Sequence, residues 1–374
     1  MQRLFMQAIV SIVLFSMLIM AHAAPNGPAP RIIMVLSSHG EAQGKEKPGY
    51  EFDEFAKAYL VFSANGVEID VASPKGGAVE ADEYDPNKAF NSDVLNDASA
   101  MAKLNNTIAL SNVRAENYDA VFVVGGKGAM FDLPFDASLQ QLISHVYENK
   151  GVVAAVCHGP AALVNVKLSN GDYLVAGKAV NGFTNNEELL FGKKWAKQFD
   201  FMLEDKLKAI GGKFQSSDIM LEHVAVDGHL VTGQNPSSTV AVANATLKAL
   251  NIAVQPIPAY KDDRTLASIS AFIEGDDSAL HAISASPENH HLALAGMYGY
   301  YYLQLASTEK KQQQALALML LAQEEIDNPA LDIQIAKTQF QLGDIMASRN
   351  TLEKIIDKHP DFEPAQALMA TLTQ

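Results

Sequence analysis

Gly151-Val-Val-Ala-Ala-Val-Cys157-His158-Gly159-Pro160-Ala-Ala-Leu163 is an apolar run that breaks at Cys-His-Gly-Pro and resumes as a helix-forming run. It reads as strand, sharp turn and helix, with a thiol at the turn. Strand-to-helix nucleophile elbows present a serine in the same way. Cys157 is the only cysteine of the chain. A lone cysteine is ordinarily a small buried apolar residue. Three features set this one apart: it ends its strand, a histidine comes at once, and Gly159 and Pro160 mark a tight turn and a helix start. A thiol in that place lies near the positive end of the next helix, which favours the thiolate.

The elements around this run repeat the pattern. Arg31 to Leu36, Val67 to Ala72, Tyr118 to Val124 and Val152 to Val156 are short apolar strands, and Ala179 to Phe183 and Val224 to Thr232 supply more, the latter turning at Asp227-Gly228. Tyr50 to Ala64, Leu139 to Asn149 and Thr239 to Leu250 have helical patterning. Strands alternating with helices make an α/β domain with a mainly parallel sheet covered on both faces. Sites in such sheets lie at the carboxyl ends of strands. The Ser37-Ser-His-Gly40 loop, the Gly125 to Gly128 loop and Cys157 all fall there.

The chain has 374 residues and a net charge of -15. That balance, without a Lys/Arg cluster, excludes nucleic acid and anionic lipid as partners. Residues 1–23 read as a signal peptide: a basic start at Arg3, an apolar run from Leu4 to Met20, and a small-x-small cleavage pattern ending at Ala23. The mature protein is then exported, periplasmic or secreted, with no membrane span after cleavage; the rival reading keeps the apolar run as an anchor. Residues 24–254 form the α/β domain, 255–264 a linker, and 265–374 a smaller all-α region. Ile335-Ala336, Leu342-Gly343-Asp344, Leu352, Ile355 and Pro360 there resemble one tetratricopeptide repeat, and a small docked helical bundle is the alternative. Tyr298 and Tyr300 to Tyr302 read as packing residues. The region is expected to offer a surface to a protein partner. His39, His223 and His229 are scattered and His290-His291 are adjacent on an expected helix, so no metal site is read.

Five motifs in order carry a family resemblance: Ala72-Ser-Pro-Lys-Gly-Gly77, Val124-Gly-Gly-Lys-Gly-Ala-Met-Phe-Asp132, Ala155-Val-Cys-His-Gly-Pro-Ala161, Asn181-Gly-Phe-Thr-Asn-Asn-Glu-Glu188 and Asp227-Gly-His-Leu-Val-Thr-Gly-Gln-Asn-Pro236. Residues about 31 to 250 resemble the DJ-1/PfpI superfamily, a flavodoxin-like branch of the class I glutamine-amidotransferase-like fold. Within it the chain is most similar to the heat-shock-chaperone branch of glutathione-independent glyoxalases. The helical tail lies outside the resemblance.

The resemblance implies that Cys157 is the nucleophile, His158 its partner, Glu188 the acid behind the histidine and Glu54 a second essential carboxylate. It implies an oxyanion hole from the amides of Gly126 and His158, no cofactor, and subunits that often pair into a homodimer. The residues themselves add to this. A thiol kept mostly as thiolate needs about 2.7 kcal/mol of differential stabilisation, which a helix end, His158 and an acid are expected to supply. Thr184-Asn-Asn-Glu187 has the form of a capping box, which occupies Glu187 and frees Glu188 to face another way. Glu54 lies opposite the stripe of Phe52, Phe55 and Tyr59, which reads as solvent-facing. Ala58 and Val61 share its side and make that side apolar too; a carboxyl there would hold its proton and carry it. Lys127 stands where the branch commonly has histidine, and Ala58 where it has proline. Lys127 is thus a pocket candidate that adds positive charge or shifts preference toward acids.

The activity implied is that of a D-lactate dehydratase acting on methylglyoxal-type 2-oxoaldehydes, small carbonyl substrates. The rivals are a stress chaperone that holds clients, and an amidase or peptidase using the same thiol.

Overall fold

The computed structural model describes residues 29–372, so the expected signal peptide lies outside the described residues. Its centre is a sheet of β1 (Arg31–Val35), β2 (Glu68–Ser73), β3 (Ile108–Ala109), β4 (Ala120–Val123), β5 (Val152–Val156), β8 (Val224–Asp227) and β9 (Leu230–Gly233). The seven strands run in the order β3-β2-β1-β4-β5-β9-β8. All pairings are parallel except the β8–β9 hairpin, which turns at Gly228. Every residue of β4, β5 and β9 is buried, so both faces of the sheet are covered. These strands are therefore continuous apolar runs and not alternating ones. The covering helices include α1 (Phe52–Ala64), α4 (Ala137–Glu148) and α7 (Thr239–Ala249). α1 packs on α7, and α4 on β4 and β5.

Elements the sequence pattern left unread fill the rest. Residues 80–117 contribute α2 (Ala89–Leu95) and α3 (Ala98–Asn105). Asp97 caps α3, accepting from the amides of Ser99 at 2.8 Å and Ala100 at 3.1 Å. Only Phe90, Val94, Ala100 and Leu104 of these helices are buried apolar residues, too few in a polar stretch to show a period. α5 (Asn185–Phe191) and α6 (Leu203–Ala209) come with and after the motif around Glu188.

One expected strand leaves the main sheet. β6 (Ala179–Val180) pairs in parallel with β7 (Lys213–Phe214) in a separate two-stranded sheet. The reason lies in the next residue. The Asn181 amide donates to Thr232 Oγ1 at 2.8 Å, and its side chain donates to His223 O at 2.9 Å. A hydroxyl and a loop carbonyl take the bonds that a strand ladder would use, and residues 181–184 cross beneath the site as a loop.

The stretch read as a linker, 255–264, turns helical at Lys261, where α8 (Lys261–Glu274) begins. Asp262 and Asp263 sit in its first turn and suit the positive end of the helix. α9 (Asp277–Ala285), α10 (Leu292–Leu303), α11 (Glu309–Leu321), α12 (Gln323–Ile326), α13 (Pro329–Gln341), α14 (Ile345–Lys358) and α15 (Glu363–Leu372) complete an all-α region. α8 packs on α9, α10 on α11 and α13 on α14. Tyr298 and Tyr302 are buried in its core, while His290 and His291 lie just before α10 and not on a helix. Among the described residues no helix is long and apolar enough to cross a membrane.

Phe122 of β4 is fully buried and meets Phe62 of α1 edge to face, with ring centroids 5.3 Å apart. Phe122→Ala is expected to cost about 3–5 kcal/mol, read as a lower urea midpoint for loss of near-ultraviolet circular dichroism.

Candidate active site

β5 ends at Val156, and Cys157 then adopts φ of +60°, a left-handed conformation that a side chain rarely takes. Neighbours hold it there. The Cys157 amide donates to Gly233 O at 2.9 Å, and the Phe183 amide donates to Cys157 O at 2.8 Å. The next segment, Gly159–Leu163, is a short 3₁₀ stretch in place of the expected longer helix. The turn ends strand alternation, so the side chains of residues 157 and 158 face each other: Cys157 Sγ lies 3.4 Å from His158 Nδ1. His158 Nε2 lies 2.8 Å from Glu188 Oε2. Thiol, imidazole and carboxylate form one buried line.

The capping box expected at α5 is present, with the Glu187 amide donating to Thr184 Oγ1 at 3.2 Å and the Thr184 amide donating to Glu187 Oε2 at 2.9 Å. Glu187 Oε1 accepts from the Met220 amide at 2.8 Å, Gln234 Nε2 at 3.0 Å and Asn235 Nδ2 at 2.8 Å. Saturating Glu187 in this way orients the first turn of α5, and the next residue, Glu188, is aimed at His158. Phe183 packs against the imidazole at a tilt, with ring centroids 4.4 Å apart.

Glu54 is fully buried, against the solvent-facing reading of its helix position. α1 is covered on more than one side, by the sheet, α7 and α2, so its apolar stripe does not mark its only buried face. Glu54 Oε2 accepts from the Gly125 amide at 2.7 Å. Oε1 has no hydrogen-bond partner among the described residues. A Cβ on Gly125 would sit 2.8 Å from both Glu54 Oε2 and Cys157 Cβ, so only glycine lets the carboxyl and the thiol flank this turn.

The expectation of a depressed thiol pKa is overturned. Burial pushes the Cys157 thiol well above its ordinary value, and the charges of Glu54 and Glu51 push it further. The amide of Gly126 acts the other way, favouring the thiolate, but is outweighed. Burial also pushes Glu54 well up, with Glu51 adding to it. Two acids pressed together in a dry site do not ionise together. Negative charge on Glu54 therefore keeps the proton on the Cys157 thiol.

Beside this cluster opens a cavity of about 860 Å³. Lys127 lines it, with Glu51, Asp82, Lys193, Lys194 and Trp195 among its walls. Sequence reasoning missed Glu51. Burial and Asp53 push its carboxyl up to about 7, while Lys127 pulls it down. The three-residue spacing from Glu51 to Glu54, which puts both on one side of a helix start, was the signal for it. Among the described residues no cluster of His, Cys, Asp and Glu could hold a metal ion.

Residues 47–249 match the DJ-1/PfpI family. The chain belongs to the DJ-1/PfpI family. Curated relatives include the glutathione-independent glyoxalase Hsp3101 of Schizosaccharomyces pombe, 32% identical over 54% of this chain and 86% of its own. The glutathione-independent glyoxalase Hsp31 of Saccharomyces cerevisiae is 30% identical over 59% of this chain and 98% of its own. Among solved structures, glyoxalase III of Candida albicans superposes with a TM-score of 0.55 at 27% identity, covering 59% of this chain and 97% of that one. The rapid encystment protein of Francisella tularensis gives 0.55 at 32% identity, over 59% and 99%. The fold is thus that of the family, a mostly parallel flavodoxin-like sheet with helices, with the helical region after it.

Glu51 carries charge only above about pH 7, and that charge opposes the thiolate. Glu51→Gln is therefore expected to speed alkylation of Cys157 by iodoacetamide about threefold at pH 8.5 and to leave the rate at pH 6 unchanged. Equal rates at both pH values would show that Glu51 does not act on the thiol.

Proposed function

We propose that this DJ-1/PfpI protein is a glutathione-independent glyoxalase that converts 2-oxoaldehydes such as methylglyoxal to 2-hydroxy acids. The observation that carries this reading is Glu54: a buried carboxyl tied by one oxygen to the Gly125 amide and in hydrogen-bonding reach of the Cys157 thiol. A hydrolase needs the thiol, its base and an oxyanion hole. A carboxyl held protonatable at the thiol supplies what a glyoxalase needs in addition, a proton shuttle between adjacent carbons.

In the first step His158 takes the thiol proton, and the sulfur adds to the aldehyde carbon to give a hemithioacetal. Glu188 stabilises the imidazolium and keeps its ring aligned, the role of the third member of a triad. Glu54 then removes the hydrogen from the former aldehyde carbon and returns a proton to the neighbouring carbon. The first carbon is oxidised and the second reduced, so no external oxidant or cofactor enters. The enediolate oxygen between these transfers lies by the amides of Gly126 and His158. Water hydrolyses the thioester, releasing lactate and the free thiol.

A thiol that rests protonated is consistent with this order. Deprotonation occurs inside the site, with the substrate in place, and His158 is 3.4 Å from the sulfur that must lose its proton. Lys127, on the wall of the neighbouring cavity, supplies positive charge that suits substrates with an anionic group. Export after cleavage at Ala23 is part of the proposal and is tested by amino-terminal sequencing of the mature protein.

The test is lactate formation from methylglyoxal without glutathione. Cys157→Ala is expected to abolish it. Glu54→Gln is expected to lower kcat by about 10²–10⁴-fold while Cys157 stays open to alkylation. Full turnover in either variant would refute the mechanism, and alkylation without lactate in the parent protein would move the assignment to amide substrates.

A further inference from the structure

The contacts of the helical region with the catalytic domain include two helices that carry a carboxylate of the site. The first is α5. Phe191, at its end, meets Tyr301 of α10 edge to face with centroids 4.8 Å apart. Leu190 packs with Ile219, Met220 and Leu221 into the apolar core formed by Ile269, Phe272, Tyr298 and Tyr302 of the helical region. Lys311 of α11 bonds Asp218 at 2.8 Å, at the start of that same loop. The loop leads back to the site, because the Met220 amide donates to Glu187, whose capping box orients Glu188.

The second place is α1. Lys57, one turn beyond Glu54, is buried and bonds Asp263 of α8 at 2.5 Å. Lys88, before α2, bonds Asp53 at 2.6 Å and lies 3.6 Å from Asp262 of α8. His291, before α10, meets Asp262 at 3.0 Å. Tyr260 stacks edge-on against Phe90 at 4.9 Å, beside the Lys57 ammonium. Lys57 of α1 is thus held directly by Asp263, and Asp53 is linked to Asp262 through Lys88.

We propose that the helical region from Lys261 onward is a positioning element of the active site, clamping the Glu188 helix through Tyr301 and the Glu54 helix through Asp262 and Asp263. The family match ends at residue 249, so this clamp is built by a part of the chain outside the family domain. The inference rests on the roles given above to Glu188 and Glu54. Neither Tyr301 nor the two aspartates touch the reacting groups; they act through α5 and α1. A buried lysine such as Lys57 has to be paired, so α8 is committed to its place on α1. A shift of α5 by a fraction of an ångström lengthens the bond between Glu188 and His158, and catalysis is sensitive to displacements of that size.

The test uses the full-length protein and two readouts, methylglyoxal turnover and the rate of Cys157 alkylation by iodoacetamide, each normalised to folded protein by near-ultraviolet circular dichroism. Tyr301→Ala is expected to lower kcat about tenfold, with KM changed less than twofold and alkylation slowed in parallel. Tyr301→Phe, which keeps the ring, is expected to restore both. Met346→Ser, at a distant side chain that is 77% exposed, is expected to change neither. Lys311→Met, at a half-exposed ion pair, provides the same comparison should Tyr301→Ala fail to fold, with a smaller fall in both rates expected. Unchanged kcat and alkylation in a folded Tyr301→Ala, or in Lys311→Met where that variant stands in, overturn the clamp. Absence of lactate from the parent protein overturns the glyoxalase reading instead, and the alkylation comparison still tests the clamp.

Discussion

The site depends on one backbone conformation, the left-handed turn at Cys157. For a residue with a side chain that conformation costs about 1–2 kcal/mol, so the surroundings have to enforce it. Gly233 and Phe183 bond the peptide groups of Cys157 from either side. Gly125 leaves the space that the thiol and the Glu54 carboxyl share. A regular strand would send residues 157 and 158 to opposite faces of the sheet. The turn brings thiol and imidazole within 3.4 Å, and the line from sulfur to Glu188 results from it.

The electrostatics of the resting site run against the habit of reactive cysteines. Low thiol pKa values come from helix ends and cationic neighbours. Here the segment after the thiol is a brief 3₁₀ turn, and burial, with the charges of Glu54 and Glu51, acts against the thiolate. The one opposing backbone donor is the Gly126 amide. The site therefore keeps its nucleophile capped by a proton. A protonated, buried thiol also resists oxidation, since oxidants attack the exposed thiolate. The same carboxyl that holds the thiol down is placed to move a proton once a carbonyl carbon is bound, so resting protection and catalytic use have a common cause.

The helical region shows how a second core is joined to the first. Its own core extends into the loop at Ile219 to Leu221 and to Leu190, so apolar burial is continuous across the junction. Charge pairs flank it, Lys57 with Asp263 on one side and Lys311 with Asp218 on the other. An ion pair with a buried lysine is costly to break, because the charge left behind cannot reach water. Burial supplies the adhesion and these pairs supply the register.

The local chemistry was legible in the chain itself. An apolar strand running into Cys157-His158-Gly159-Pro160 specifies an elbow because glycine and proline there exclude continuation of the strand. Thr184 to Glu187 specifies a helix start because its two side chains satisfy each other's amides. The succession of strands and helices specifies a parallel sheet. Glu54, the thiol pKa and Glu51 were not legible in that way. Periodicity along α1 reports one apolar stripe, and nothing local tells a helix that it will be covered on further sides. The Asn181 crossing depended on a hydroxyl at Thr232, fifty-one residues away along the chain. The Cys157 shift came first from burial and then from carboxyls about a hundred residues distant, Glu54 and Glu51. Sequence determines what each segment can do with its nearest neighbours, through propensity and short-range hydrogen bonds. Burial and the sum of charges at a point are set by everything that folds around it, and only the tertiary structure decides them.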